Sequence, residues 1–151
     1  MSFDTRAGTR GIRPPSGPVM RWMNQAMAWR ISKSGTFQGL SSLALTTIGA
    51  KSGAKRVNPV AWFPGPDGSW LIVASAGGAA RNPAWYYNIA AHPDQVTVEI
   101  AGRVIPVTAE QLHGAEREQA WQQVITAAPR FGGYQEKTDR EMPIIRLVAR
   151  S

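Results

Sequence analysis

Between Leu40 and Ser75 three runs of apolar and β-branched residues follow one another with only tight turns between them. Leu40 to Ile48 ends at Gly49, and Lys51-Ser52-Gly53-Ala54-Lys55 makes a turn. Arg56 to Phe63 resumes an extended pattern, and Pro66-Asp67-Gly68 turns the chain into Trp70 to Ser75. Parallel neighbours need a crossover of roughly a dozen residues or more, so tethers this short favour antiparallel pairing. Pro59 has no N–H to give to a ladder, which places the second run at an edge or beside a bulge.

The remaining elements attach to this antiparallel start. Ala76-Gly77-Gly78-Ala79 breaks the third strand at two adjacent glycines. Asn82-Pro83 then reads as a helix start, with Asn capping and Pro at the first helical position. That helix should pass through Trp85, Tyr86, Asn88 and Ile89 to about His92, where Pro93 stops it. Val96 to Ile100 and Arg103 to Thr108 form a hairpin around Ala101-Gly102. Ala115 to Ala127 is an amphipathic helix with Ala120, Trp121, Val124 and Ile125 in one stripe. Pro129 to Arg140 reads as a polar and aromatic connection, and Ile144 to Val148 as a last strand. At the other end, residues 1–18 lack periodicity and read as a flexible or loosely applied arm, whereas Val19 to Ile31 has the pattern of an amphipathic helix carrying Trp22 and Trp29. The order predicts a mainly β fold with peripheral α-helices, a small antiparallel barrel or sheet, with a basic arm and helix over 1–34 and the domain proper over 35–151.

Composition narrows the chemistry. The chain is 43% hydrophobic and 18% charged, enough apolar material for a core. It contains no cysteine, which removes disulfides, thiolate nucleophiles and iron–sulfur ligation. No secretory h-region and no run of about 20 apolar residues is encoded, so a cytoplasmic location is expected. The net charge of +7 is unevenly placed: nine cations and no acid lie between Thr5 and Pro66, whereas eight cations meet nine acids from Asp67 onward. Such a field attracts phosphates, carboxylates or an anionic membrane surface at the inner face of the cell membrane. No nucleic-acid reading motif accompanies it, so no nucleic-acid partner is expected.

Lys51, Ser52, Lys55 and Arg56 can hold an anion through charge-assisted bonds, and Gly53 permits close backbone approach. The GxxxxGK[ST] spacing of a phosphate loop is absent, and a strand-like run follows instead of a helix. Ser75-Ala76-Gly77-Gly78 offers backbone N–H groups to a phosphate or an oxygen-rich ring, or is simply a glycine turn. Serine-hydrolase chemistry has little support, since no histidine–carboxylate pair is encoded near Ser75. His92 and His113 lack metal-binding spacing. Trp85 and Asn88, three apart on one helix, can face a common cavity.

Taken together, Leu45-Thr46-Thr47 with Gly49, Lys51-Ser52-Gly53, Arg56-Val57-Asn58-Pro59, Ala74-Ser75 with Gly77-Gly78-Ala79, Asn82-Pro83-Ala84-Trp85-Tyr86 with Asn88, Glu116-Arg117, and Tyr134-Gln135 with Thr138-Asp139-Arg140 resemble the deazaflavin (F420)-dependent nitroreductase family of split β-barrel oxidoreductases. The resemblance implies a split β-barrel related to FMN-binding barrels, with coenzyme F420 as cofactor. It implies that Lys51, Ser52 and Arg56 engage the anionic tail, with Lys55 nearby, and that Asn58 and Pro59 border the groove. Ala74, Ser75, Ala76, Gly77 and Gly78 would surround the deazaflavin ring, and Trp85 and Asn88 would line the pocket.

The chain departs from the family pattern at Ala50, where an arginine is common, and at Ala76, where some members carry lysine. Ala128 and Phe131 replace acceptor-side tyrosines, while Tyr134 is kept. These changes imply a broader, more apolar acceptor pocket. The expected activity is hydride transfer from F420H2 to a quinone-like, enone or other electron-poor organic acceptor, with Tyr134 and Ser75 as catalytic residues. A non-enzymatic F420 carrier and a barrel that binds an apolar ligand without F420 are the alternatives.

Overall fold

The computed structural model of the chain describes residues 3–11, 23, 26, 36, 37 and 40–150. Its strands are β1 (Thr36–Phe37), β2 (Leu40–Ile48), β3 (Lys55–Ala61), β4 (Phe63–Pro64), β5 (Trp70–Val73), β6 (Val96–Ile100), β7 (Arg103–Gln111) and β8 (Ile144–Ala149). The helices are α1 (Ala84–Ala91), α2 (Gly114–Ala127) and α3 (Arg130–Lys137). Every strand pair is antiparallel, in the order β1-β2-β6-β7-β8-β5-β4, with β3 on the other edge of β2.

A covalent corner joins β3 to β4 at the far end of that order. β3 runs beside β2 from Lys55 opposite Ile48 to Ala61 opposite Ser42. Trp62 then donates its N–H to the Ser41 carbonyl at 2.9 Å, and the chain leaves β2 to pair Phe63 with Leu71 of β5. Strand pairing plus this corner closes a ring, and the result is the expected split β-barrel. Pro59 sits opposite Ala44 on β3, whose only ladder among the described residues is with β2, as a proline without an N–H requires.

Strand alternation divides the apolar residues between two cores. Leu43, Leu45, Ile72, Val98, Val107, Ile145 and Leu147 fill the barrel, capped by Trp85, Tyr86 and Ile89 of α1. The opposite face of β5 and β8 presents Leu71, Val73 and Ile144, which are covered by Ala120 and Val124 of α2 and Phe131 of α3. The predicted stripe on α2 thus has its partner. Arg117 joins that stripe unexpectedly: it is buried, donates to the Met142 carbonyl at 2.9 Å and stacks on Trp121.

Three local expectations are corrected. The segment read as a connection after Pro129 contains α3, whose Gly132-Gly133 pair depresses helix propensity; burial of Phe131 and its edge-on contact with Phe63 override that tendency. Asn82 does not cap α1. Pro83 occupies the cap position, and the Asn82 amide turns inward to Arg140 and the Thr5 carbonyl. The described part of the N-terminal arm is fastened. Thr5 N–H donates to the Tyr86 hydroxyl, Gln111 donates to the Thr5 hydroxyl, and Gly8 N–H donates to the Ala80 carbonyl. A Cβ on Gly8 would lie 2.3 Å from an Asp139 carboxylate oxygen, so glycine permits that approach. The helix predicted over Val19 to Ile31 lies outside the described residues, except that Met23 and Ala26 are helical and exposed.

The two cores give a direct stability test. Ile72→Ala should lower stability by about 2–5 kcal/mol, because it opens a cavity in the barrel. Val104→Ala, at a residue 64% exposed, should stay within about 0.5 kcal/mol. Urea unfolding of both variants checks the difference; equal losses would contradict this assignment of inside and outside.

Candidate functional site

The site begins where β3 leaves β2. Leu40 and Ser42 of β2, Pro59, Val60 and Ala61 of β3, Ser75-Ala76-Gly77, Trp85, and Phe131 and Tyr134 of α3 line a groove of about 260 Å³. Its sides differ chemically: Pro59, Trp85 and Phe131 are apolar and flat, whereas Ser75 and Tyr134 carry hydroxyls. The Tyr134 ring meets Phe131 edge-on at 5.4 Å, and the Lys137 ammonium stands 5.8 Å from its centre.

The polar wall is an unusual turn. Ser75 is right-handed, with φ −81° and ψ −39°, and is followed by positive φ at Ala76 (47°), Gly77 (64°) and Gly78 (89°). Gly78 must be glycine twice over, since its φ disfavours a side chain and a Cβ there would lie 2.6 Å from the Tyr134 carbonyl. α3 therefore rests directly on the turn. Beneath it the Arg140 guanidinium, 2% exposed, donates to the carbonyls of Ala74 (2.8 Å), Ser75 (2.9 Å) and Ala79 (3.1 and 3.3 Å) and to the Asn82 amide oxygen (2.7 Å). Burial pulls the arginine below its ordinary pKa. The guanidinium nevertheless remains charged.

The basic turn lies at the far end of β3. Gly49 N–H donates to the Ala54 carbonyl at 2.7 Å, Gly53 N–H returns to the Gly49 carbonyl at 2.9 Å, and the Ser52 hydroxyl accepts from Ala54 N–H at 3.2 Å. Lys51, Ser52 and Lys55 are exposed and Arg56 is half-buried. From Arg56 to Pro59–Ala61 is three to five residues along one strand, about 10–16 Å. Directly opposed residues share a sheet face. Lys55 and Pro59 therefore lie on the face of Ser42 and Ala61, while Arg56 and Asn58 lie on that of Leu43 and Leu45.

The structure thus brings together Pro59, Ser75, Ala76, Gly77, Trp85 and Tyr134 around the groove, and Lys51, Ser52, Lys55 and Arg56 around the turn. Ala74 is fully buried beneath the wall and Gly78 is covered by α3. Asn88 does not share the groove with Trp85. Its amide donates to the Thr47 hydroxyl at 3.1 Å and accepts from Ala50 N–H at 3.0 Å, so it braces the base of the basic turn. Helical spacing placed Asn88 near Trp85 without revealing which neighbour would satisfy its amide. Arg140 was a motif residue without a role; only the convergence of Ala74, Ser75, Ala79 and Asn82 supplies one. Among the described residues no cluster of metal-ligating side chains occurs, and no helix is long and apolar enough to cross a membrane.

Comparison with known proteins bears on what this groove and turn hold. Residues 20–149 match the model of the F420H(2)-dependent quinone reductase family. The chain belongs to that family. An F420H(2)-dependent quinone reductase of Mycobacterium tuberculosis is 38% identical over 112 residues, covering 72% of this chain and 74% of that protein. The solved structure of an F420-H2 dependent reductase is 40% identical, covers 70% of this chain and 92% of its own, and superposes with a TM-score of 0.62. A second solved structure, described as a domain-swapped dimer, is 36% identical, covers 86% of this chain and 99% of its own, and has a TM-score of 0.63.

Family membership makes coenzyme F420 the cofactor, and the residues present suit it. A groove of about 260 Å³ lies near the lower end of small-molecule pockets, roughly 300 Å³. Its size suits a flat ring, and the cations Lys51, Lys55 and Arg56 at the basic turn are of the type that would hold an anionic tail. This quinone reductase family member therefore combines a ring-sized groove with a tail-suited turn on one strand.

The arm contributes a pH-sensitive fastening beside the site. The Thr9 hydroxyl, with the Arg10 and Thr9 N–H groups, donates to Asp139 and holds its carboxyl down at about 2. A folded pKa below the unfolded value of about 3.9 contributes stability above that value, and the contribution is lost as pH falls through the folded one. The stability gap between the wild type and Asp139→Asn should therefore narrow from about pH 4 to pH 2. Urea titrations across that range measure it, and a constant gap would deny Asp139 this role.

Proposed function

We propose that this chain binds F420H2 with the ring in the groove and the tail along β3 toward the basic turn, and reduces a quinone-like acceptor. The observation that carries the reading is the continuity of β3: one edge strand supplies Pro59–Ala61 to the groove and Lys55–Arg56 to the turn. When bound, the cofactor supplies the hydride. Trp85, Pro59 and Phe131 provide flat apolar surfaces that exclude water and align planar partners. The Ser75 hydroxyl hydrogen-bonds the ring or the acceptor. Tyr134 donates a proton to the oxygen anion that develops on the acceptor. Phe131 and buried Ala128 give one side of its surroundings an apolar surface, beside the Lys137 ammonium, which suits planar acceptors such as quinones and enones.

Contact with an anionic membrane surface through the Trp22 and Trp29 segment belongs to the same proposal. The acid-free cationic run around that segment and the apolar nature of the acceptors support it. Replacing both tryptophans by alanine should reduce cosedimentation with anionic vesicles, and undiminished binding would remove the membrane from the proposal.

Fluorescence titration with oxidised F420 tests the cofactor site. Arg56→Gln and Lys55→Gln should each weaken binding by about tenfold, the loss of one charge-assisted hydrogen bond. Neither should alter the affinity for the ring fragment lacking phosphate and glutamates. Equal wild-type affinity for whole and tail-less cofactor would refute the role given to the turn. With menadione as acceptor, Tyr134→Phe should lower kcat by about 10²-fold while leaving F420 affinity intact. Binding without acceptor-dependent oxidation would identify a carrier, and absence of F420 binding a barrel for some other apolar ligand.

A further inference from the structure

The Ser75–Ala79 turn forms the polar wall of the groove, yet its backbone is held in a conformation that a free chain avoids. Ala76 has a left-handed φ of 47° despite its Cβ, between right-handed Ser75 and two further positive-φ residues. A right-handed residue followed by a left-handed one turns successive N–H groups to one side and can form an anion-binding concavity. Here Gly78 and Ala79 N–H donate to the Ser75 and Ala76 carbonyls at 2.9 and 3.2 Å, so the N–H groups of Ala76 and Gly77 are the ones such a concavity would offer. On the carbonyl side stands Arg140, whose guanidinium joins Ala74, Ser75, Ala79 and Asn82 through five hydrogen bonds. A planar fork of five donors can satisfy this arrangement; an ammonium with three donors cannot.

All these partners are neutral oxygens, so the charge is hydrogen-bonded without being cancelled by a carboxylate among them. Buried away from salt and water, its field is screened less than that of a surface arginine. The neighbouring residue is restrained as well. Asp139 accepts from Thr9 and Arg10 of the arm, while Gly8 N–H donates to the Ala80 carbonyl just beyond the turn. The turn is thus clamped by the arginine from beneath and by the arm at its exit.

We propose that Arg140 is a positioning residue for the cofactor ring, fixing the Ser75–Ala79 turn so that the N–H groups of Ala76 and Gly77 face the groove and placing behind them a charge that favours an electron-rich ring edge. The assignment rests on the F420 reading of the groove and extends it to a residue that does not line the groove. Arg140 acts through the turn. It is a determinant of ring affinity and not of tail affinity, which belongs to the basic turn at the other end of β3.

The test uses full-length Arg140→Gln and Arg140→Lys, with Arg56→Gln as the tail control, and two readouts. Hydrogen exchange of the cofactor-free protein reports the turn itself. In Arg140→Gln the peptide spanning residues 75–80 should exchange about tenfold faster, while β6 and β7 exchange as in the wild type. Fluorescence titration then separates ring from tail. Arg140→Gln should weaken whole F420 and the tail-less ring fragment by the same factor, about tenfold or more, whereas Arg56→Gln weakens only whole F420. Arg140→Lys, which keeps the charge and loses the fork, should recover part of the ring affinity with exchange still raised.

A folded Arg140→Gln protein with unchanged exchange over residues 75–80, or with unchanged affinity for the ring fragment, overturns the proposal. If the glutamine variant does not fold, Arg140→Lys is judged on faster exchange and weaker ring binding, and wild-type values for either overturn it. If the wild type binds neither ligand, the F420 reading fails, and the assignment of Arg140 to the cofactor ring fails with it; the exchange data then decide only whether Arg140 orders the turn.

Discussion

The Arg140 guanidinium gathers segments that no strand ladder connects. Its five hydrogen bonds reach the end of the β5 segment at Ala74 and Ser75, the far side of the glycine turn at Ala79, and the approach to α1 at Asn82. Asn82 passes the connection on to the arm through the Thr5 carbonyl, and Thr5 in turn meets Tyr86 and Gln111. Burying a cation is costly unless its donors are satisfied, and carbonyl oxygens can satisfy them only when the chain converges on the fork. That requirement shapes the turn, the start of α1 and the seat of the arm together. It also explains why Asn82 is unavailable as a helix cap.

β3 supplies the complementary constraint. Pro59 removes a donor from the strand, which keeps one edge of β3 free of a further ladder, and the corner at Trp62 lets the chain close the barrel without burying that edge under another strand. The groove opens beside this edge, and the basic turn lies at its other end. A barrel closed by ladders alone would offer no such edge. In the proposed binding mode the division of labour is built into one short strand, with apolar surface toward Ala61 and exposed positive charge toward Lys55.

Much of this was legible in local pattern. Alternation and tight turns identified β2, β3, β5 and the β6–β7 hairpin, because side chains on a strand take opposite faces regardless of what covers them. The stripe on α2 was legible for the same kind of reason. α3 was not, since Gly132 and Gly133 argue locally against a helix that Phe131 stabilises by burial in the second core. Asn88 shows a different limit. Its helical position was correctly placed, but an amide bonds whatever lies within reach, and Thr47 and Ala50 come from a strand end some forty residues away.

By itself the sequence determined the antiparallel pairing of β2 with β3, the edge position of Pro59, the clustering of cations at the β2–β3 turn and, through its motifs, the family resemblance. Each follows from spacing along the chain or from the chemistry of neighbouring residues. Tertiary structure alone decided that Trp85 faces the groove while Asn88 faces the turn, that the arm is latched to Asp139, and that Arg140 lies beneath the groove wall. These outcomes depend on hydrogen-bond partners distant in sequence, whose convergence exists only after the barrel has closed.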